Sequence, residues 1–240
     1  MSALERIAER LMNRLGHFFA RRHDRRIDEK LTRYANTRKE NVFLVQIGSN
    51  DGKTNDPFHD WIVHYDWSGL LVEPVPFVFE RLVRNHHGRS KIVPVNAAIS
   101  DREETKKFFH LRACESSDIP WWYDQIGSFE KSQVLKSQKD IPDLADLLTF
   151  TEVKCLSLTT LFETHRIPKI NIFHTDLEGY DFEVLKQLDF ALWSPDLILF
   201  EHKHLDYANR NACAHMLKNQ GYKLIEGSAD TLAIKNGCSS

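Results

Sequence analysis

The sequence is poor in what would mark most specialised classes of protein. Its 240 residues hold four cysteines, Cys114, Cys155, Cys213 and Cys238, and no two of them form a CxxC pair. A chain of this length buries a core without disulfides, so these are expected as reduced thiols in a cytoplasmic protein. No apolar run approaches the ~20 residues of a membrane span, and the first residues lack a continuous apolar signal core. The formal net charge is −2, with no broad basic footprint, so no nucleic-acid partner is expected. Also missing is a G-x-G-x-x-G loop, whose glycines would let a dinucleotide pyrophosphate approach a helix start.

What remains is an ordinary composition, 42% hydrophobic and 28% charged, enough for one α/β domain with a sizeable core. Charge is uneven, because residues 1–40 hold 11 Lys and Arg against 6 Asp and Glu. Leu4, Ile7, Ala8, Leu11, Leu15, Phe18 and Phe19 recur there at helical spacing among arginines. We expect residues 1–40 to form a basic amphipathic helical extension. It would pack on the domain's own flank, or dock on a membrane surface or a second copy. Residues 41–240 form the domain.

That domain is organised around Val42 to Gly52, VFLVQIGSNDG. An apolar run that meets glycines predicts a buried strand delivering a loop at its carboxyl end, where open parallel sheets bind ligands. Glycine there lets backbone amides approach a ligand. Ser68–Glu73 predicts a second strand, whose closing acid suits a ribose diol and is expected to stand clear of the core. Ile92–Ala97 predicts a third, and Asn96, Ala97 and Ala98 leave room for a flat ring. Helices predicted over Asn55–Tyr65 and Phe77–His87 make the crossovers right-handed and the sheet parallel.

Regularity fails over 112–141. Trp121, Trp122, Tyr123, Ser128 and Phe129 mark either a lid over the substrate or a surface excursion whose aromatics fold back into the core. Residues 131–139 look polar and mobile. Order returns with a strand at Thr151–Ser157. Ile170–Thr175 predicts a strand ending in Asp176 and Glu178, and Leu197–Phe200 one ending in Glu201, His202, Lys203 and His204. Gly221 stops a helix begun at Tyr207, and Tyr222–Glu226 and Thr231–Lys235 flank a hairpin turn that gives the sheet an antiparallel end.

VQIGSNDG, LLVEPVP, VNAAIS, HTDLEGYDFEVL and LILFEH, in this order at strand ends, resemble the FkbM-type S-adenosylmethionine-dependent methyltransferases. The resemblance runs from Val42 to Lys235. It implies an α/β, class I Rossmann-like fold, a mostly parallel seven-stranded sheet with an antiparallel last strand and helices on both faces. It also implies S-adenosylmethionine as cofactor and O-methylation of a hydroxyl on a small molecule or glycan. On that footing Gln46, Gly48, Ser49, Asn50, Asp51 and Gly52 would line the methionine part of the cofactor, and Glu73 with Pro74 the ribose. Asn96, Ala97 and Ala98 would line the adenine, and Asp176 the methionine ammonium. Gln46 stands where many class I members carry an acid.

Methyl transfer from a sulfonium is an in-line displacement, so the protein must hold an oxygen in line and take its proton. Asp176, Glu178, Glu201 and His202 are the candidate catalytic groups. Asp176 and His202 are expected at one reaction centre, because neighbouring strand ends lie ~4.8 Å apart. Glu178 has the alternative of capping the helix that follows it. Asp176, Glu201 and His202, with His204, have donor types that suit a divalent ion orienting a diol. A His-x-His at a strand end is more often solvated or hydrogen-bonded, and no metal is assigned. Two other functions share such a fold: an NAD-dependent oxidoreductase, which the missing G-x-G-x-x-G disfavours, and a non-catalytic nucleoside-binding protein.

Overall fold

The computed structural model describes residues 25–114, 119–141, 143–167 and 169–238. The apolar positions of residues 4–19 therefore lie outside the described residues. In chain order the first elements are α1 (Arg25–Arg38), β1 (Phe43–Ile47), α2 (His59–Tyr65), β2 (Ser68–Val72), α3 (Pro76–Asn85), β3 (Ile92–Val95), β4 (Ala98–Ile99) and β5 (Glu104–Leu111). The middle is made of β6 (Gly127–Ser128), α4 (Lys131–Leu135), α5 (Leu144–Leu147), β7 (Leu148–Leu156) and α6 (Leu158–Thr164). The last part holds β8 (Ile172–Thr175), α7 (Asp181–Leu185), β9 (Leu197–Glu201), α8 (Tyr207–Asn219), β10 (Tyr222–Glu226) and β11 (Asp230–Lys235).

Strand β1 is central in a seven-stranded sheet of order β10-β11-β9-β8-β1-β2-β3. From β3 to β9 every pairing is parallel, and β11 runs antiparallel to both β9 and β10. The pleat sends successive side chains to opposite faces. Val45, Ile47, Leu70, Val72, Phe173, Ile198 and Phe200 accordingly face one core cluster, and Leu44, Leu71, Ile172, Leu197 and Leu199 the other. Both faces are apolar because helices cover both. Leu161 and Phe162 of α6, Val184 and Leu185 of α7, and Leu217 of α8 fill the first. Ile27, Leu31 and Tyr34 of α1, Ile62 of α2 and Leu82 of α3 fill the second. Each large side chain so buried contributes about 1.5–3 kcal/mol.

Helix α1 runs through Arg38. Its last turns are anchored, because Tyr34 Oη donates 2.5 Å to Asp196 Oδ2 and Arg38 lies 3.1 Å from the same oxygen. A second sheet, β4-β7-β5-β6, was not visible in the sequence. Its backbone is the long antiparallel pairing of β5 with β7, Glu104 opposite Cys155 through Leu111 opposite Leu148. Residues 119–141 pack on it around Leu111, Ile126, Val134 and Ile141, with Trp122 and Tyr123 at the edge of that small core. The stretch read as mobile, 131–139, is α4 followed by a 3-10 turn, held by buried Val134. Among the described residues no helix is long and apolar enough to cross a membrane.

Candidate active site

The loops after β1, β2, β8 and β9 meet at the carboxyl edge of the sheet. On the β1 side the chain satisfies most of its own polar groups. Gly48 and Ser49 amides both donate to Val72 O, and Ser49 Oγ donates to Gln46 O. Asp51 accepts from the Lys53 and Thr54 amides and from Thr54 Oγ1, and these bonds hold its carboxyl below the usual carboxylate range against the opposing effect of burial. Asn50, in a left-handed conformation at φ 47°, gives its amide to Glu73 Oε2 at 3.0 Å. The Val75 amide donates to Glu73 Oε1 at 2.8 Å. Glu73 is thus buried and tied to two amides, where a free carboxylate clear of the core was expected. Desolvation pushes its carboxyl up to about 7.

The glycines have a related role. Gly48 has φ +79°, and a Cβ there would run into the carbonyl oxygen of Asp176. A Cβ on Gly52 would meet Leu82 and His86. The close approach that glycine permits is to the protein's own chain. Asn96 Nδ2 bridges Glu73 O and Pro74 O, while Pro74, Ala97 and Ala98 are buried. Gln46 Nε2 donates 2.8 Å to Asp56 Oδ2, so a loop carboxylate is held where the first strand itself has none. Gln46 Oε1 is buried without a hydrogen-bond partner.

On the β8–β9 side acids predominate. Asp176 is exposed to solvent, and desolvation by the protein around it raises its carboxyl. Lys203 opposes that rise and Asp56 adds to it. Glu178 is pushed up to about 7 by desolvation and by Asp176. Glu201, 8% exposed, is raised by desolvation and then by Asp176, Glu178, Asp181 and Asp230. Asp181 is buried beneath them, bonded by Thr175 Oγ1 and the Leu177 amide, and burial pushes it to about 7. His202, expected beside Asp176, is buried instead with Nδ1 2.8 Å from Thr231 Oγ1. The histidine that reaches the carboxylates is His204, whose Nε2 lies 3.3 Å from Glu178 Oε2 and 3.4 Å from Glu201 Oε1.

Residues 119–141 reach over this edge. Asn50 Nδ2 donates to Asp124 O and Gln125 Nε2 to Thr54 O, both at 3.4 Å, and Arg81 pairs with Asp124. Gln133 Nε2 donates 2.7 Å to Glu178 O. Phe129 packs edge-on to Tyr180 at 5.7 Å, Ser128 lies beside it in β6, and Trp121 is 48% exposed. Asp56, Arg81, Asp124 and Lys203 carried no role in the sequence reading. Only Asp56 had a usable signal, an acid ten residues after a polar residue inside an apolar strand.

A curated relative, the hexuronic acid methyltransferase AglP of Haloferax volcanii, is 26% identical over 164 residues, covering 68% of this chain and 56% of its own length. The chain therefore spans little more than half of that relative. The crystal structure of the methyltransferase FkbM of Methylobacillus flagellatus superposes with a TM-score of 0.51 at 11% identity, covering 81% of this chain and 44% of that one. A family model described as the methyltransferase FkbM domain matches residues 46–224. By that match the chain belongs to the FkbM methyltransferase domain family.

Proposed function

We propose that the chain is an S-adenosylmethionine-dependent O-methyltransferase acting on a hydroxyl of a small molecule or glycan. The observation that carries this reading is membership of the FkbM family together with the carboxylates gathered at the ends of β8 and β9. Carboxylates that repel one another suit a ligand bearing positive charge. When bound, S-adenosylmethionine would supply the methyl group and a neutral thioether leaving group. Asp176 and the Gln46-held Asp56 are the residues to hold its cationic end. Glu178, Glu201 and His204 form the cluster that handles the proton of the acceptor hydroxyl, a function typically worth about 10²–10⁴-fold in rate. Asn50, Trp121, Ser128 and Phe129 are the residues that would border the acceptor and keep it from water.

Hexuronic acid, the acceptor in the haloarchaeal relative's name, makes uronic-acid glycans the first class to try. Clustered acids disfavour an approaching carboxylate and leave a ring hydroxyl as the acceptor atom. The test is turnover with S-adenosylmethionine across uronic-acid glycans, neutral glycans and phenols, read as S-adenosylhomocysteine and as the mass and linkage of the methylated product. A methyl ether on a glycan hydroxyl is expected. A methyl ester on the uronic carboxylate would move the acceptor atom, and cofactor binding without turnover on any class would leave a binding protein.

A further inference from the structure

We propose that Glu178, Glu201 and His204 form a binding site for one divalent transition-metal ion. Each offers one ligand atom, and the three atoms lie within 4.8 Å of one another. His204 Nε2 stands 3.3 Å from Glu178 Oε2 and 3.4 Å from Glu201 Oε1, longer than the ~2.7–3.2 Å of an ordinary N–H···O bond. Two ligands each about 2.1 Å from a tetrahedral ion are themselves roughly 3.4 Å apart, so the spacing suits shared coordination.

A second observation points the same way. Glu201 is 8% exposed, and its Oε2 is buried with no hydrogen-bond partner. A buried polar atom in that condition is costly, and an ion would offset that cost.

The backbone holds the three donors in register. Glu178 is left-handed at φ 52°, a strained conformation for a glutamate, and Gly179 follows at φ +101°. A Cβ on Gly179 would come 3.0 Å from His204 O, so the turn carrying Glu178 lies directly against the loop carrying His204. One nitrogen and two carboxylate oxygens favour Mn²⁺, Fe²⁺ or Zn²⁺ over an all-oxygen Mg²⁺ or Ca²⁺ site. Three protein ligands leave a position open.

The use of that position rests on the methyl-transfer reading above. An acceptor hydroxyl bound there would lose its proton to crevice water, its acidity raised by the ion. The oxygen would then form its bond to the methyl carbon as the carbon–sulfur bond breaks and the sulfonium becomes a thioether. The same three side chains serve as ligands, and the ion lowers the hydroxyl's pKa in their place.

The test is calorimetric titration of chelator-stripped protein with MnCl₂ and with ZnCl₂, without S-adenosylmethionine, alongside Mn²⁺ paramagnetic resonance. One ion per chain is expected, with affinity about tenfold weaker or worse in His204→Ala and in the isosteric Glu201→Gln, both checked for native circular dichroism. Stripped protein that takes up no ion, or folded variants that bind as the parent does, would overturn the site. Ion binding without methylation of any acceptor would keep the site and sink the methyl-transfer reading. Undiminished methylation by protein that binds no ion would do the reverse.

Discussion

The loop after β1 and the loops after β8 and β9 share one edge of the sheet, and they differ in what completes their polar groups. Around Gly48–Gly52 the partners come from the chain: Ser49, Asp51 and Glu73 all have backbone or side-chain bonds. Around Asp176–Glu178 and Glu201–His204 the acids repel one another, and Glu201 Oε2 has no partner. The first region is completed by folding apart from Gln46 Oε1, and the second is left to whatever binds. Rigid scaffold beside uncompensated charge is the arrangement expected of a site that must hold a cationic reactant in a fixed pose.

The harshest way to break this contrast is at its joint. Gly48→Ala puts a Cβ against Asp176 O in a conformation alanine avoids, and Asp176 N is itself bonded to Ile47 O at 3.2 Å. We expect a loss of about 3 kcal/mol or more, at the upper end for single substitutions, seen as a lowered urea midpoint. A midpoint equal to the parent's would mean the two strand ends are not rigidly joined.

Next in size is Glu178→Gln. Methyl transfer should fall about 100-fold or more, whether the carboxylate handles the proton itself or holds the ion that does. The metal-free protein at pH 8 should nonetheless melt no lower than the parent, because a repelled charge has been removed. Reduced activity explained by unfolding would contradict the division between the regions. By contrast Glu73→Gln, on the finished side, should cost about 1–3 kcal/mol, since an amide NH₂ would then face a backbone N–H. Retained stability with weakened cofactor binding would return Glu73 to the role its place at a strand end suggested.

What the sequence made legible follows from what leaves a periodic or local trace. Strands β1, β2, β8 and β9 are short apolar runs ending in polar residues, and right-handed crossovers between such runs imply parallel pairing. Strand β5 gave no such trace, because Glu104, Thr105, Lys106 and Lys107 are exposed and its stability comes from pairing with a strand that begins at Leu148, far along the chain. His202 and His204 have the same parity, so strand alternation could not separate them. The turn decides, since the His202 and Lys203 amides both donate to Ala229 O and the chain leaves the sheet there. The glycines were legible as necessary, and the reason was not, because only the fold brings Asp176 O against Gly48.

The smallest expected effect is in the pH dependence of stability. Glu73, Glu178 and Asp181 have folded-state values near 7, above the ordinary carboxyl range, chiefly through desolvation. Such groups bind more protons folded than unfolded, so their contribution is lost as pH rises through about 7. His86, His110, His174 and His204 are lowered by burial and pull the other way, but only below ~6.5, where the unfolded chain still protonates them. The clean window is therefore pH 6.5 to 8.5. Across it the metal-free protein should lose a few degrees of melting temperature, at about 2–4 °C per kcal/mol for a chain of this size. Glu178→Gln should show a shallower fall, and Mn²⁺ should flatten the parent's profile, because a bound cation favours the ionised form of Glu178 and cannot reach Glu73. A parent profile that is flat or rising in that window would show that the acids at the ends of β8 and β9 are not strained by folding, and the contrast between the two regions would go with it.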